Sequence, residues 1–122
     1  MQVTWRAMKI VIQNGVSNLI SRKKMERLVA VIPPNLFKGC RTFILCATRN
    51  SETQITYHPK EQIIEFGVSS RMPQRATVEE LLLGLELIQK KGTALPKISA
   101  RQRSEILKIN RDVITKCIEV LE

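Results

Sequence analysis

The chain is poor in the residues from which catalytic sites are most often built. His58 is its only histidine. A zinc site of the HExxH type needs two histidines one helical turn apart, so that chemistry is excluded. The three cysteines, Cys40, Cys46 and Cys117, are odd in number and form no CxxC pair. All three lie in apolar, periodic surroundings, as buried free thiols do, and the expected compartment is a reducing cytoplasm. The five glycines are isolated, with no Walker loop, no GxGxxG and no DxDxDG loop. Phosphate cradling by a glycine-rich loop has no support. No apolar run is long enough to span a bilayer. The first ten residues, MQVTWRAMKI, carry Arg6 and Lys9 within the apolar pattern and no small-residue cleavage site, so they are not expected to be a signal peptide.

What the chain does have is a moderate apolar content and a large positive charge. With 43% hydrophobic and 25% charged residues it reads as an ordinary globular protein, expected to form one domain over residues 1–122. The formal net charge is +9, and it is unevenly spread. Residues 1–49 hold nine basic residues against Glu26 alone, a net +8. Residues 50–89 are net −3, and residues 90–122 are net +4. Such asymmetry points to a basic face and an anionic partner.

The pattern around which the chain is organised is TVEELLLGLELIQKKG, residues 77–92. Val78, Leu81, Leu82, Leu85 and Ile88 share one helical face, and Leu83 and Leu87 widen it enough for cover on two sides. Thr77 and Glu80 have capping-box spacing, Lys90 and Lys91 suit the last turn, and Gly92 suits a left-handed stop. Upstream, residues 3–12 read as a strand ending at the Asn14-Gly15 turn signal. Ser17 and Ser21 are candidate caps for a helix whose stripe is Met25, Leu28, Val29 and Ile32 and which Pro33-Pro34 terminates.

Residues 40–48, CRTFILCAT, read as a central strand buried on both sides, followed by strands over 53–58 and 62–68. The short turns between these three strands predict an antiparallel meander. Ser99 and Gln102 offer a second capping box for a last helix running to residue 121. Its apolar stripes are Ile106, Ile109, Val113, Cys117 and Val120 beside Leu107, Ile114, Ile118 and Leu121. The expected class is therefore α+β, in the order β-α-β-β-β-α-α, with a small, mainly antiparallel sheet and helices packed on one face.

That order resembles the minimal zinc-peptidase domain, in which a strand, a helix and a meander lead into the metal-bearing helix. Here the corresponding helix reads Glu79-Glu80-Leu81-Leu82-Leu83, with leucine where a ligand would stand. The resemblance therefore implies the scaffold without the metal. A Cys–His nucleophile pair using His58 with Cys40 or Cys46 has no supporting flanking sequence. No catalytic residue, metal or cofactor is expected.

Two non-enzymatic readings remain. The first is a binding module for a polyanion, foremost nucleic acid, held by lysine and arginine to phosphate. Its candidate contacts are Arg22, Lys23, Lys24 and Arg27 on the first helix, Arg71 and Arg75 around a loop, and Lys97, Arg101 and Arg103 at the start of the last helix. With five aromatics in the chain, two of them (Phe43 and Phe66) in apolar strand patterns, base stacking is not expected. The second reading is a protein-interaction module or homodimer that uses Leu83 and Leu87 as surplus apolar surface.

Overall fold

The fold comes from a computed structural model, which describes residues 8–13, 21–48, 54–69, 73–92 and 98–122. Four strands form one sheet: β1 (Lys9–Ile12), β2 (Thr42–Ala47), β3 (Gln54–His58) and β4 (Ile63–Val68). Four helices complete the chain: α1 (Arg22–Val31), α2 (Gln74–Lys91), α3 (Ala100–Ile109) and α4 (Arg111–Leu121). A short 3-10 helix, Pro34–Phe37, joins α1 to β2. The α+β class and the element order follow the sequence reading, with the last helix divided in two.

Strand pairing departs from the expected meander. The sheet order is β1-β2-β4-β3; β1 and β4 both run parallel to β2, and only β3 and β4 are antiparallel. β4 is thus inserted between the two strands that precede it. The reason lies in what each strand can bury. Ile64 and Phe66 of β4 are sealed from solvent, as are Phe43 and Leu45 of β2. Among the residues of β3 whose burial is described, Ile55 alone is buried and Thr56 is exposed, a pattern suited to an edge.

The register places Ile10, Phe43, Ile64 and Tyr57 in one row, with Ile12, Leu45, Phe66 and Ile55 in the next. All eight belong to one core with Met25, Leu28 and Val29 of α1, the inner face of α2, and Ile114, Cys117 and Leu121 of α4. The helices therefore cover one face of the sheet. On the other face Val11, Ile44, Cys46, Ile63 and Glu65 are half-buried, so β2 is sealed on one side and not on both.

α2 starts four residues earlier than a Thr77 cap would place it, at Gln74 after Pro73. Thr77 consequently lies inside the helix, where its hydroxyl donates to the Pro73 carbonyl at 3.1 Å. The Thr77–Glu80 capping box does not form. At the other end Gly92 takes φ +74°, the left-handed stop that its sequence position implies. The second capping box does form: Ser99 Oγ accepts from the Gln102 amide at 3.1 Å, and the Ser99 amide donates to Gln102 Oε1 at 2.9 Å.

The long C-terminal helix breaks at Asn110, which is only 5% exposed. Its side-chain amide donates to the Ile106 carbonyl at 2.9 Å and to Glu86 Oε1 of α2 at 3.2 Å. This buried amide pins the elbow to α2 and turns α4 back along it. The break also rotates Ile109 out of the expected stripe and leaves it 73% exposed.

α3 packs on the outer side of α2, where Leu83, Leu87 and Ile106 make a second small core with Ile98 and Leu107. Leu83 and Leu87 are each 5% exposed, so the apolar surface expected to drive self-association is already covered within the chain. A homodimer would have to use some other surface.

Candidate polyanion interface

Two helices begin at the same end of the sheet. The side-chain amide of Gln89, near the end of α2, donates to the carbonyls of Leu36 and Lys38 at 3.1 and 2.8 Å, just before β2 starts. The start of α2 therefore lies at the opposite edge, beyond the C-terminal ends of the parallel strands. The start of α1 lies there too. Lys24 Nζ and Gln74 Nε2 both donate to the Leu121 carbonyl, at 3.1 and 3.4 Å, which ties α1, α2 and the end of α4 together. In open sheets with parallel strands, the carboxyl edge is where ligands are most often held.

The local sequence explains these starts. Ser21 Oγ accepts from the Lys24 amide at 3.2 Å and caps α1. α2 follows Pro73, which presets the backbone and supplies no side-chain cap. Neither first turn of these helices carries an acidic residue, so the positive ends of both dipoles are not neutralised from within.

The candidate cations are not equivalent. Lys23 and Arg27 project from the exposed face of α1 and pair with no carboxylate among the described residues. Arg22 sits 3.2 Å from Glu26, one turn on, in an exposed pair that water weakens. Lys24 is half-buried and occupied by the Leu121 carbonyl, so it is an internal tie and no longer a free phosphate contact. Arg75 stands at the start of α2, 3.8 Å from Glu79, a separation that leaves its guanidinium largely available. Arg101 pairs with Glu105 at 3.3 Å, and Arg103 is engaged with Glu80 across to α2. These pairings remove Lys24 and Arg103 from the free set. Arg71 and Lys97 lie outside the described residues.

A second feature was not legible in the sequence. The elbow at Asn110 opens a cleft of about 350 Å³ between α2, α3 and α4. It is lined by Arg75, Glu79, Ser104, Leu107, Lys108, Arg111 and Ile114. Lys108 and Arg111 pair with no carboxylate among the described residues. The only sequence signal for this cleft is an asparagine in mid-helix, a residue type that favours helix ends.

The polar groups of the sheet offer little nucleophilic chemistry. His58 ends β3, and its Nε2 lies 2.8 Å from Glu65 Oε1 on the sheet face away from the helices. Cys46 Sγ donates to the Phe66 carbonyl at 3.7 Å, and burial, with the Glu65 carboxylate beside it, pushes its thiol up from the ordinary value. Burial likewise pushes Cys40 up to about 11 and Cys117 up to about 12. Raised thiols are protonated at neutral pH, the reverse of what an attacking cysteine needs. In α2, Glu79 and Glu80 face arginines while Leu81, Leu82 and Leu83 are packed in the core, so this helix presents no ligand set of the zinc-peptidase kind.

No protein-family model, curated protein or solved structure matches the chain.

Proposed function

We propose that the protein is a non-enzymatic binding module for a polyanion, with the phosphate backbone of nucleic acid as its ligand. The observation that carries this reading is the shared placement of the α1 and α2 starts, joined through the Leu121 carbonyl. There Lys23 and Arg75 stand in the first turns of two helices free of acidic residues at their starts, Arg27 continues the exposed face of α1 one turn on, and Arg22 adds a cation whose pairing with Glu26 is exposed. Lysine, arginine and helix-start amides are the groups that hold phosphate without reading bases. With only five aromatics in the chain, three of them the buried phenylalanines Phe37, Phe43 and Phe66, stacking adds little and sequence preference is weak. The three free thiols suit a reducing cytoplasm as the compartment.

The test is fluorescence anisotropy with labelled single-stranded and duplex DNA over a range of salt. Affinity falls with a log–log slope of roughly −0.7 to −0.9 per phosphate neutralised. Replacing Lys23 and Arg27 together by Ser flattens that slope by about two such contacts. Arg22 and Lys24 are left in place because they make internal contacts. Absence of binding at about 50 mM salt removes nucleic acid as the ligand. A double variant that binds with the parent's slope removes α1 from the interface.

A further inference from the structure

The cleft between α2, α3 and α4 has a composition that the backbone-holding face does not share. Its floor is apolar, made by Leu107 and Ile114, and the latter is almost fully buried. Its rim carries three cations, Arg75, Lys108 and Arg111, against one carboxylate, Glu79, and Ser104 adds a hydroxyl. At about 350 Å³ it falls at the lower end of the roughly 300–1,000 Å³ that small-molecule sites occupy. It is also held open. Asn110 fixes the angle between α3 and α4 through its bonds to Ile106 and Glu86, and the Arg103–Glu80 pair anchors the other end of α3 to α2. A cleft whose walls are fixed before binding spends little free energy on ordering.

We infer that this cleft is a binding site for a small phosphomonoester with an apolar or aromatic body. The lining charge, three cations less one carboxylate, is +2 and matches the phosphomonoester dianion better than a carboxylate monoanion. Arg111 and Arg75 present planar donors suited to two phosphate oxygens at once, and Lys108 adds a point charge. Leu107 and Ile114 remove the body of the ligand from water, which free inorganic phosphate cannot exploit. The Arg75–Glu79 contact, at 3.8 Å, is long enough that Arg75 can turn to a ligand at small cost. The cleft shares only Arg75 with the nucleic-acid reading, and the variants that test it, at Lys108 and Arg111, lie outside that reading.

The experiment is an amide-resolved NMR titration of the whole chain with phenyl phosphate, with benzoate, phenol and inorganic phosphate run in parallel. Phenyl phosphate is expected to saturate at roughly millimolar concentration or below, shifting the amides of Ser104, Lys108 and Arg111. Benzoate, phenol and inorganic phosphate each bind more weakly, because each lacks the second charge, all charge, or the apolar body. Lys108→Ala and Arg111→Ala each weaken phenyl phosphate by about tenfold or more, as expected for a lost charge-assisted bond. Both residues are exposed, so both variants keep the fold, which the unperturbed remainder of each spectrum verifies. The Lys23, Arg27 double variant keeps phenyl phosphate binding whether or not nucleic acid binds. Shifts that are absent at these amides, or equal responses to phenyl phosphate and inorganic phosphate, overturn the site. So does undiminished binding by both alanine variants.

Discussion

Two helices, α1 and α2, both begin at the end of α4, tied to the Leu121 carbonyl, and are used in opposite ways. α1 buries Met25, Leu28 and Val29 along one stripe, half-buries Lys24 and Val31 beside it, and gives the rest of its surface to water. α2 buries nine of its residues, because the sheet and α4 cover its inner face and α3 covers its outer side. A helix covered from two directions is constrained at nearly every position, so it carries the fold. A helix covered from one direction has a face left over, and α1 fills that face with cations. The difference gives α2 the larger part in stability and leaves α1 the face on which the proposed ligand contacts lie, and substitutions can test the division.

The largest expected effect is at Leu85, in the middle of the α2 inner face and fully sealed from solvent. Leu85→Ala leaves a cavity among residues that cannot all collapse into it, at a cost of about 2–5 kcal/mol. Urea melts measure it. A loss below about half a kcal/mol would put the residue at a surface and undo the contrast between the helices.

The next effect is at Gly84, where α2 crosses closest to the edge strand β3. A Cβ added there would overlap the Cγ2 methyl of Ile55. Alanine is the better helix former by roughly 1 kcal/mol, while overpacking a close contact costs about 1–3 kcal/mol, so the clash wins. Gly84→Ala is expected to destabilise by about 1–2 kcal/mol. Combined with Ile55→Ala, which removes the obstructing methyl, most of that increment disappears. Strictly additive losses in the double-mutant cycle would show that the two residues do not meet.

The same contrast explains what could be read from the residues alone. The α2 face was legible because Val78, Leu81, Leu82, Leu85 and Ile88 repeat at helical spacing, and all five are buried. The α1 stripe, its Ser21 cap and the Ser99 capping box were legible for the same local reason. The pairing of β4 between β2 and β3 was not. A period of two identifies a strand and its faces but says nothing about which strand lies beside it. The start of α2 was misplaced because Thr77 has a cap's chemistry, whereas Pro73 governs the backbone there.

The candidate site divides along the same line. That Lys23 and Arg27 face outward follows from helical period. That Lys24 is tied to Leu121, or that Lys108 and Arg111 line one cleft with Arg75, depends on the packing of residues far apart in the chain. Asn110 decides the second of these, and one asparagine inside an otherwise continuous apolar pattern is too weak a signal to place an elbow.

The smallest effect separates two adjacent lysines of one helix. Lys23 projects into solvent and touches no described partner, so Lys23→Ser is expected to leave stability within about half a kcal/mol. Lys24 is half-buried, and its ammonium donates to the Leu121 carbonyl at the C-terminal end of α4. That end is where a helix dipole favours a cation, and where a carbonyl has no partner inside its own helix. A cation there is worth roughly 0.3–1 kcal/mol when exposed, and part-burial moves it toward the upper end. Lys24→Met keeps the stem that packs on the helix and deletes only the charge, so its loss, about 1 kcal/mol, isolates the tie. The two variants are to be compared by chemical denaturation at low and high salt. The Lys24→Met loss should shrink as salt screens the dipole, and the Lys23→Ser value should stay flat. Equal effects from the two would mean that α1 has no anchored side at its start, and that its basic face is uniform.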